Sequence, residues 1–313
     1  MRILVYDDAL SLDGACVVAL GFFDGVHLGH RDLLSRAKEE AVSRNLPLCV
    51  FTFTSESEGL KRGSGRIYDT ETRLQLLSDL GVDIAVICDF ALVCNFGAEE
   101  FCEDILLRRL HAVLAVSGFN YRYGRGARGN STTLKETMQG HGADALCVGA
   151  YLTEDGEVLS TTKIKALLDR GKTEQANAYL GAPYRFSTVV EEGLHLGRSY
   201  GVPTINQSFP CGIYIPRGGV YRSVAIVDGV PYHAVTNIGT CPTFGERPIH
   251  AETFVAGEGF SLYGKKITVY LLGYLREEMQ FPDAQSLKMQ IIVDKNRAIT
   301  ENGEIQWLAT GQN

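Results

Sequence analysis

The stretch Gly21-Phe22-Phe23-Asp24-Gly25-Val26-His27-Leu28-Gly29-His30 lies between an apolar run typical of a buried strand and a pattern typical of an amphipathic helix. One face of that helix carries apolar side chains at helical spacing, namely Leu33, Leu34, Ala37 and Ala41. A helix that begins directly after a strand presents free N–H groups and a positive dipole end, where phosphate binds readily. We therefore expect His27 and His30 to donate hydrogen bonds to a bound phosphate chain. Histidines at this spacing are also common as structural groups, and the strand-turn-helix context favours phosphate.

Short apolar runs alternate with helical patterns from residue 15 to about residue 180, which predicts β-α units on a parallel sheet. The predicted strands are residues 15–20, 48–53, 84–87, 112–116 and 145–150. The predicted helices are residues 31–41, 71–80, 99–110, 133–139 and 163–169. Gly81 and Gly171 stand where a glycine commonly ends a helix. We expect a layered, Rossmann-like α/β domain over residues 1–182.

Beyond residue 182 the pattern changes to brief β-rich runs separated by Gly and Pro, which predicts a small antiparallel barrel or sandwich over residues 183–313. The predicted strands are residues 187–190, 219–227, 233–237, 252–255 and 266–272. Residues 283–298 carry apolar side chains at helical spacing and predict a last helix that packs on the barrel.

Composition excludes several classes of protein. The chain has 313 residues, of which 45% are hydrophobic and 21% are charged, so neither a disordered nor a fibrous chain is expected. At roughly 100–200 residues per domain, this length predicts two domains. The formal net charge of -7 excludes a broad electrostatic footprint for nucleic acid or for an anionic membrane. Any phosphate contacts are therefore expected to be local.

Eight cysteines lie at irregular spacings without a CxxC pair, at positions 16, 49, 88, 94, 102, 147, 211 and 241. Most fall in apolar runs, so we expect buried, reduced thiols and a cytoplasmic location. The N-terminal stretch carries acidic residues where a signal peptide needs positive charge, and no apolar run approaches the roughly 18 residues of a membrane span. We therefore expect neither export nor membrane insertion.

A second glycine-rich motif, GLHLGRSYGVPTIN, covers residues 193–206. Its glycines leave room for a polyphosphate against backbone N–H groups. Thr204 and Asn206 lie two residues apart on an extended segment, so their side chains face the same way. Oxygen ligands of this kind, together with phosphate oxygens, suit Mg²⁺. A Gly/Pro-rich turn without a ligand is the alternative interpretation.

These motifs resemble those of a known family. The stretch GFFDGVHLGH is similar to the nucleotide-binding signature of HxGH nucleotidyltransferases, and in this wording to that of bacterial bifunctional riboflavin kinase/FMN adenylyltransferases. Residues 118–129 and 159–165 resemble the second and third motifs of the adenylyltransferase half. Residues 193–206, 237–244 and 251–254 resemble successive riboflavin kinase motifs, and residues 275–281 resemble the family's ending.

For the N-terminal half, the resemblance implies transfer of the adenylyl group of ATP to FMN, with release of pyrophosphate. His27 and His30 would bind the ATP phosphates and stabilise the transition state. Asn120 would contact the nucleotide. The residues implied to bind ATP are Gly21, Phe23, Asp24, Gly25, His27, His30, Asn120, Ser160, Thr161 and Lys165.

For the C-terminal half, the resemblance implies phosphorylation of riboflavin by Mg²⁺-bound ATP. Glu252 would be the general base for the ribityl 5′-hydroxyl, Thr204 and Asn206 would hold Mg²⁺, and Arg276 would approach the flavin. The residues implied to bind ATP are Gly193, Gly197, Arg198, Gly201, Thr204, Asn206 and Asn237. Riboflavin, FMN and ATP are the expected partners, with FMN and FAD as substrate or product, and a homo-oligomer is left open.

Several positions depart from the family pattern. Lys165 stands where Arg is usual, and a lysine offers a point charge instead of a planar fork. The segment after Phe53 lacks the usual His-Pro pair and carries Glu56 and Glu58 instead. Phe254 stands where His is frequent. Two alternatives therefore stay open: a monofunctional riboflavin kinase with a degenerate N-terminal domain, and a non-catalytic module that senses flavin or nucleotide.

Overall fold

The computed structural model describes residues 1–54, 65–192, 203–239, 249–257, 260–303 and 305, the side chains of Ala284 and Asn302 excepted. The chain forms two compact units. The first comprises Met1–Arg62 and Asp69–Thr161, and the second comprises Gly63–Tyr68 and Thr162–Asn313. The second unit therefore includes a short piece of chain from within the N-terminal half of the sequence.

A parallel sheet of six strands forms the centre of the first unit, in the order β1-β4-β3-β2-β5-β6. The strands are β1 (Arg2–Val5), β2 (Cys16–Leu20), β3 (Leu48–Phe53), β4 (Ile84–Cys88), β5 (Ala112–Gly118) and β6 (Asp144–Val148). The predicted strands are confirmed within two residues, apart from β1, which the sequence analysis missed. It is a four-residue, largely exposed edge strand, so its sequence carries little burial signal.

Helices follow the strands of this unit. They are α1 (Leu28–Ser43), α2 (Thr70–Asp79), α3 (Phe90–Val93), α4 (Ala98–Glu100) and α5 (Ser131–Gly140). The helix predicted at residues 99–110 is present, but most of it, Phe101–Arg109, is a π-helix. The spacing of apolar residues does not distinguish a π-helix from an α-helix, so the sequence could not predict this difference. The apolar face of α1 is buried as predicted. Gly81 and Gly171 have φ of 77° and 70°, which confirms both as helix-ending glycines.

An antiparallel sheet forms the second unit, in the order β7-β12-β9-β10-β11-β8. The strands are β7 (Tyr184–Val189), β8 (Thr204–Ser208), β9 (Gly219–Val227), β10 (Val230–Gly239), β11 (His250–Val255) and β12 (Lys266–Arg276). Gln207 on β8 donates hydrogen bonds to the carbonyl oxygens of Thr188 and Ile267, at 3.0 and 2.8 Å. The end strands β7 and β8 thus lie side by side, which confirms the predicted barrel.

Among the described residues, three helices accompany this barrel: α6 (Thr161–Asp169), α7 (Thr173–Leu180) and α8 (Ala284–Asn302). The last predicted helix is confirmed, and Ala298 packs with Val220 and Val235 of the barrel. α7, a helix of eight residues, was not among the predicted helices. β8 was not among the predicted strands, because a Gly/Pro-rich motif precedes it, but the extended segment expected at Thr204 and Asn206 is present in it.

The cysteine prediction is only partly correct. Four thiols are buried, at positions 16, 49, 88 and 102, and Cys94 is half-buried. The expectation is wrong for Cys147 and Cys211, which are exposed. Cys147 lies on the edge strand β6, where one side of the sheet lacks a further strand. Cys241 lies outside the described residues. Within the part of the chain that the structure describes, no helix is long and apolar enough to cross a bilayer.

Candidate active sites

The turn between β2 and α1 is held in one conformation by its own side chains. Phe23 and Val26 have φ of 56° and 43°, in the left-handed region that disfavours side chains. Such strain persists only where packing fixes it, and the Phe23 ring is 1% exposed. A Cβ atom at Gly21 would lie 3.0 Å from that ring, so any larger residue there would press on Phe23. Packing of the turn therefore fixes the position of the first residues of α1.

His27 and His30 form a stacked pair at the start of α1. Their ring centroids lie 3.7 Å apart with an interplanar angle of 16°. The Nδ1 atom of His27 accepts a hydrogen bond from the backbone N–H of His30, at 3.4 Å, so His27 caps the helix. A neutral imidazole whose Nδ1 accepts carries its proton on Nε2. His27 thus retains one N–H donor of the kind that phosphate oxygens require.

Both rings are neutral at neutral pH. Burial lowers the pKa of His27 to about 4. Burial, with smaller contributions from His27 and Arg73, holds the pKa of His30 well below its usual range. The pair therefore offers N–H donors rather than positive charge to an incoming phosphate chain. This arrangement can stabilise negative charge that develops during transfer without first forming an ion pair.

Two of the three N-terminal motifs meet in the first unit. The Thr161 hydroxyl donates to the carbonyl oxygen of Asp24, at 3.2 Å, and Asp24 is buried. Ser160 precedes it at the start of α6. Asn120 is exposed just after β5, the neighbour of β2, so it lies at the same carboxyl edge of the sheet. Ligands of open α/β sheets bind at this edge.

Lys165 belongs to the second unit. Its ammonium group lies 5.6 Å from the ring centroid of Tyr214, within the range of a cation–π contact. The Tyr214 hydroxyl donates to the carbonyl oxygen of Lys165, at 2.9 Å, so the backbone of α6 is tied to the same tyrosine.

Three of the residues predicted for the kinase lie in a row across neighbouring strands. Glu252 on β11 pairs in register with Asn206 on β8 and with Asn237 on β10. Residues directly opposite each other point to the same face, with Cβ atoms about 5 Å apart. Thr204 lies two residues before Asn206 on β8 and shares that face. The row brings two amides, a hydroxyl and a carboxylate together on one face of the barrel.

Family models match both halves of the chain, FAD synthetase over residues 10–163 and riboflavin kinase over residues 180–301. A bifunctional riboflavin kinase/FMN adenylyltransferase of Bacillus subtilis is 32% identical over 291 residues, which covers 90% of this chain and 91% of that protein. The chain belongs to the bifunctional riboflavin kinase/FMN adenylyltransferase family. The resemblance drawn from the motifs is confirmed.

Further relatives of the family agree. The protein of the same description from Escherichia coli K12 is 31% identical over 285 residues and covers 90% of each chain. A crystal structure from Streptococcus pneumoniae, described as a macrolide-efflux protein, matches with a TM-score of 0.84 and 25% identity. That match covers 97% of this chain and 100% of the other, so the fold is shared along the whole length.

The row of kinase residues has two polar neighbours that the sequence analysis missed. His250 Nε2 lies 3.1 Å from Glu252 Oε1, and the two side chains share a face because they are two residues apart on β11. Asn237 Nδ2 donates to Glu278 Oε1, at 2.9 Å. The alternation of side chains along a strand could have indicated His250, which lies two residues before Glu252. No local sequence pattern indicated Glu278, which follows β12.

The remaining kinase predictions fare differently. Gly193, Gly197, Arg198 and Gly201 lie outside the described residues. The guanidinium of Arg276 donates to the buried carboxylate of Asp294 on α8, with Nη2 to Oδ2 at 2.7 Å. Arg276 therefore joins the barrel to its last helix, and a role toward flavin stays a prediction.

Arg73 is a third residue that the sequence analysis missed. It lies on α2 with its side chain 0% exposed, and it donates to the carbonyl oxygen of Phe22 at 2.7 Å. Arginine is mostly a surface residue, so its type gave no signal. Its position near Leu74, Leu76 and Leu77 on a short helix was the one sequence feature that could have indicated burial of this arginine.

Proposed function

We propose that this chain catalyses two successive steps, the phosphorylation of riboflavin to FMN by ATP and the adenylylation of FMN to FAD. The kinase activity is assigned to residues 183–313 and the adenylyltransferase activity to residues 1–182. The observation that carries the proposal is the cross-strand row of Asn206, Glu252 and Asn237, because a nucleotide-sensing module has no need of a carboxylate base beside its phosphate site.

In the kinase step, Glu252 accepts the proton of the ribityl 5′-hydroxyl while that oxygen forms its bond to the γ-phosphorus of ATP. The bond between the γ-phosphorus and the β–γ bridging oxygen breaks, and ADP leaves. The 39% exposure of the Glu252 side chain leaves its carboxylate accessible to a substrate hydroxyl. His250 orients this carboxylate through its hydrogen bond.

Magnesium fits the oxygen donors of this row. Among the described residues, no group of three or more His, Cys, Asp or Glu side chains is arranged to hold a metal. An ion that keeps waters and phosphate oxygens needs only one or two protein ligands. The Thr204 hydroxyl and the Asn206 amide oxygen would hold Mg²⁺, which when bound neutralises phosphate charge. The buried Oδ1 of Asn237, which finds no donor in the described parts of the chain, adds an acceptor that suits a metal-bound water or a ligand hydroxyl.

In the adenylylation step, a phosphate oxygen of FMN forms a bond to the α-phosphorus of ATP, the bond between the α-phosphorus and the α–β bridging oxygen breaks, and pyrophosphate leaves with that oxygen. The neutral His27 and His30 rings donate N–H groups to the phosphoryl oxygens that gain charge. Ser160 and Thr161, at the start of α6, present hydroxyl and backbone N–H groups to the triphosphate. The role predicted for Lys165, which belongs to the second unit, stays a prediction.

The two alternatives are less well supported. A degenerate N-terminal domain would not need to retain the capped, stacked histidine pair and the Thr161 contact to the same turn. The bifunctional relatives also match along 90% of this chain, including its N-terminal half.

Product analysis tests the proposal. The chain is incubated with riboflavin, ATP and Mg²⁺, and the flavins are separated by chromatography. We expect FMN followed by FAD, and chelation of Mg²⁺ should stop both. FMN alone would support a monofunctional kinase, and neither product would support a sensing module.

Paired variants test whether the two sites are separate. Glu252→Gln should lower FMN formation by at least about 100-fold, the range typical of a lost general base. It should leave FAD formation from supplied FMN intact. His27→Ala combined with His30→Ala should do the reverse. Loss of both activities in a folded Glu252→Gln protein would contradict separate sites.

A further inference from the structure

Arg73 is the most deeply buried charged side chain of the described residues, at 0% exposure. A buried guanidinium is costly unless its donors are satisfied, and an apolar side chain of similar volume often packs at no loss of stability. Thr72, Leu74, Leu76 and Leu77 on α2 are also buried, so this face of the helix does not itself require a charge. The retention of an arginine here therefore calls for a reason beyond packing.

The contacts of Arg73 join the ends of two strands beside the phosphate-binding turn. Nη1 donates to the carbonyl oxygen of Phe22 at 2.7 Å, and Nη2 donates to the carbonyl oxygen of Phe53 at the end of β3. The Thr52 hydroxyl donates to the same Phe22 oxygen, at 3.0 Å. The guanidinium also lies 4.4 Å from the centroid of the Phe22 ring.

These contacts hold the residue that leads into the turn. Phe22 directly precedes Phe23, whose left-handed backbone sets the course of the chain toward His27. The guanidinium fixes the peptide oxygen of Phe22 by hydrogen bonds and its ring by a cation–π contact, so the residue before the strained position is held twice. A planar fork that donates to two carbonyl oxygens cannot be reproduced by an ammonium group.

The charge of Arg73 also acts on the histidine pair. Its guanidinium is one of the groups that hold the pKa of His30 down, after burial and His27. A cation at this place keeps His30 neutral and adds positive potential where a triphosphate would arrive. The hydrogen bonds of Arg73 and its positive charge thus both act on the turn that carries His27 and His30.

We propose that Arg73 is a positioning residue for adenylyl transfer, which holds the turn of residues 21–27 and supplies a buried positive charge beside His30. The proposal rests on the proposed function of the N-terminal half. Arg73 does not touch ATP; it acts through Phe22 and through the histidines.

Two variants separate geometry from charge. Arg73→Met removes both, and we expect kcat/KM for ATP in FAD formation to fall about 100-fold, as for a displaced catalytic group. Its KM for ATP should rise, and the acid limb of its pH profile should move to higher pH because His30 loses a neighbouring cation. Arg73→Lys keeps the charge and loses the fork, so its kcat/KM should fall by about tenfold while its acid limb stays in place.

Riboflavin phosphorylation in the same molecule is the control for folding, and the exposed Arg36→Met is the matched control for loss of an arginine. A merely structural role would reduce the active fraction without moving KM or the pH limb. Wild-type KM and pH profile in a folded Arg73→Met protein would overturn the proposal. If Arg73→Met does not fold, an Arg73→Lys protein with wild-type kcat/KM would overturn it. Wild-type protein that makes FMN but no FAD would overturn the proposed adenylyltransferase as well, which distinguishes the two failures.

Discussion

At the scale of single residues, the first unit places two uncharged imidazoles at a helix start where a cation would bind phosphate more strongly in the ground state. Neutral donors instead form their best hydrogen bonds when charge develops on the phosphoryl oxygens. The burial that keeps His27 and His30 neutral thus favours the transition state over simple phosphate binding. The same burial is expected to lower the stability of the folded protein at acid pH.

We predict that acid weakens the first unit through His27. Its pKa is about 4 in the folded state against the ordinary 6.5 of an exposed histidine, so the unfolded chain binds more protons between these values. The free energy of unfolding should therefore fall as the pH drops from 6.5 toward 4, by roughly 3 kcal/mol in all. Calorimetry between pH 4 and 7.5 checks this.

His27→Asn is the informative variant, because asparagine keeps a helix-capping oxygen and cannot titrate. Its stability should depend less steeply on pH than that of the wild type. The exposed His111→Asn, which removes an imidazole outside the turn of residues 21–27, is the matched control. Equal slopes for wild type and His27→Asn would refute the assignment.

We predict that His250 contributes to the kinase step by orienting Glu252. Its Nε2 atom lies 3.1 Å from Oε1 of that carboxylate. His250→Phe removes the hydrogen bond and should lower kcat for FMN formation about tenfold, because a base in several rotamers is correctly placed less often. His250→Gln offers an amide donor and should recover part of the loss. FAD formation from supplied FMN is the control in each sample, and an unchanged kcat in His250→Phe would show that Glu252 is held by other groups.

At the scale of elements, α7 shows how a short helix can matter more to the barrel than its length indicates. The Asn177 side chain donates to the carbonyl oxygen of Leu271 at 2.8 Å, and its Oδ1 accepts from the backbone N–H of Tyr184, also at 2.8 Å. Leu271 lies on β12 and Tyr184 begins β7. One amide thus ties α7 to two paired strands.

We predict that Asn177→Ala lowers the free energy of unfolding of the second unit by about 1–3 kcal/mol, because two backbone groups lose their partner. Urea denaturation followed by circular dichroism measures the change. The exposed Asn296→Ala on α8 is the matched control and should stay within about 0.5 kcal/mol of wild type. A similar effect of both substitutions would show that α7 contributes only generic helix stability.

At the scale of the whole molecule, the second unit is discontinuous in sequence. Arg66 forms a β-bridge with Ile213. The Arg66 N–H donates to the carbonyl oxygen of Gly212, and the Tyr214 N–H donates to the carbonyl oxygen of Arg66, both at 2.7 Å. The Tyr68 ring stacks on the Tyr184 ring with centroids 5.9 Å apart. Residues from within the N-terminal half of the chain are therefore part of the barrel's own core.

We predict that a fragment of residues 183–313 is less stable than the same barrel in the full chain, because it lacks α6, α7 and residues 65–68. Its melting midpoint should fall by about 5–10 °C or more, the shift expected from losing a few kcal/mol in a domain of this size. A fragment of residues 162–313 should lie between the two. Scanning calorimetry with FMN formation as the test of folding measures this, and equal midpoints for all three would contradict the division into units.

Local patterns along the chain were enough to predict the class and order of most elements and both sets of motifs. Apolar spacing, glycine helix ends and the strand-turn-helix context are local, so they are legible without a structure. Only the tertiary structure placed Glu252 between Asn206 and Asn237 and buried Arg73 under the turn at Phe22. Strand register and burial depend on residues far apart in the chain, and no local pattern contains that information.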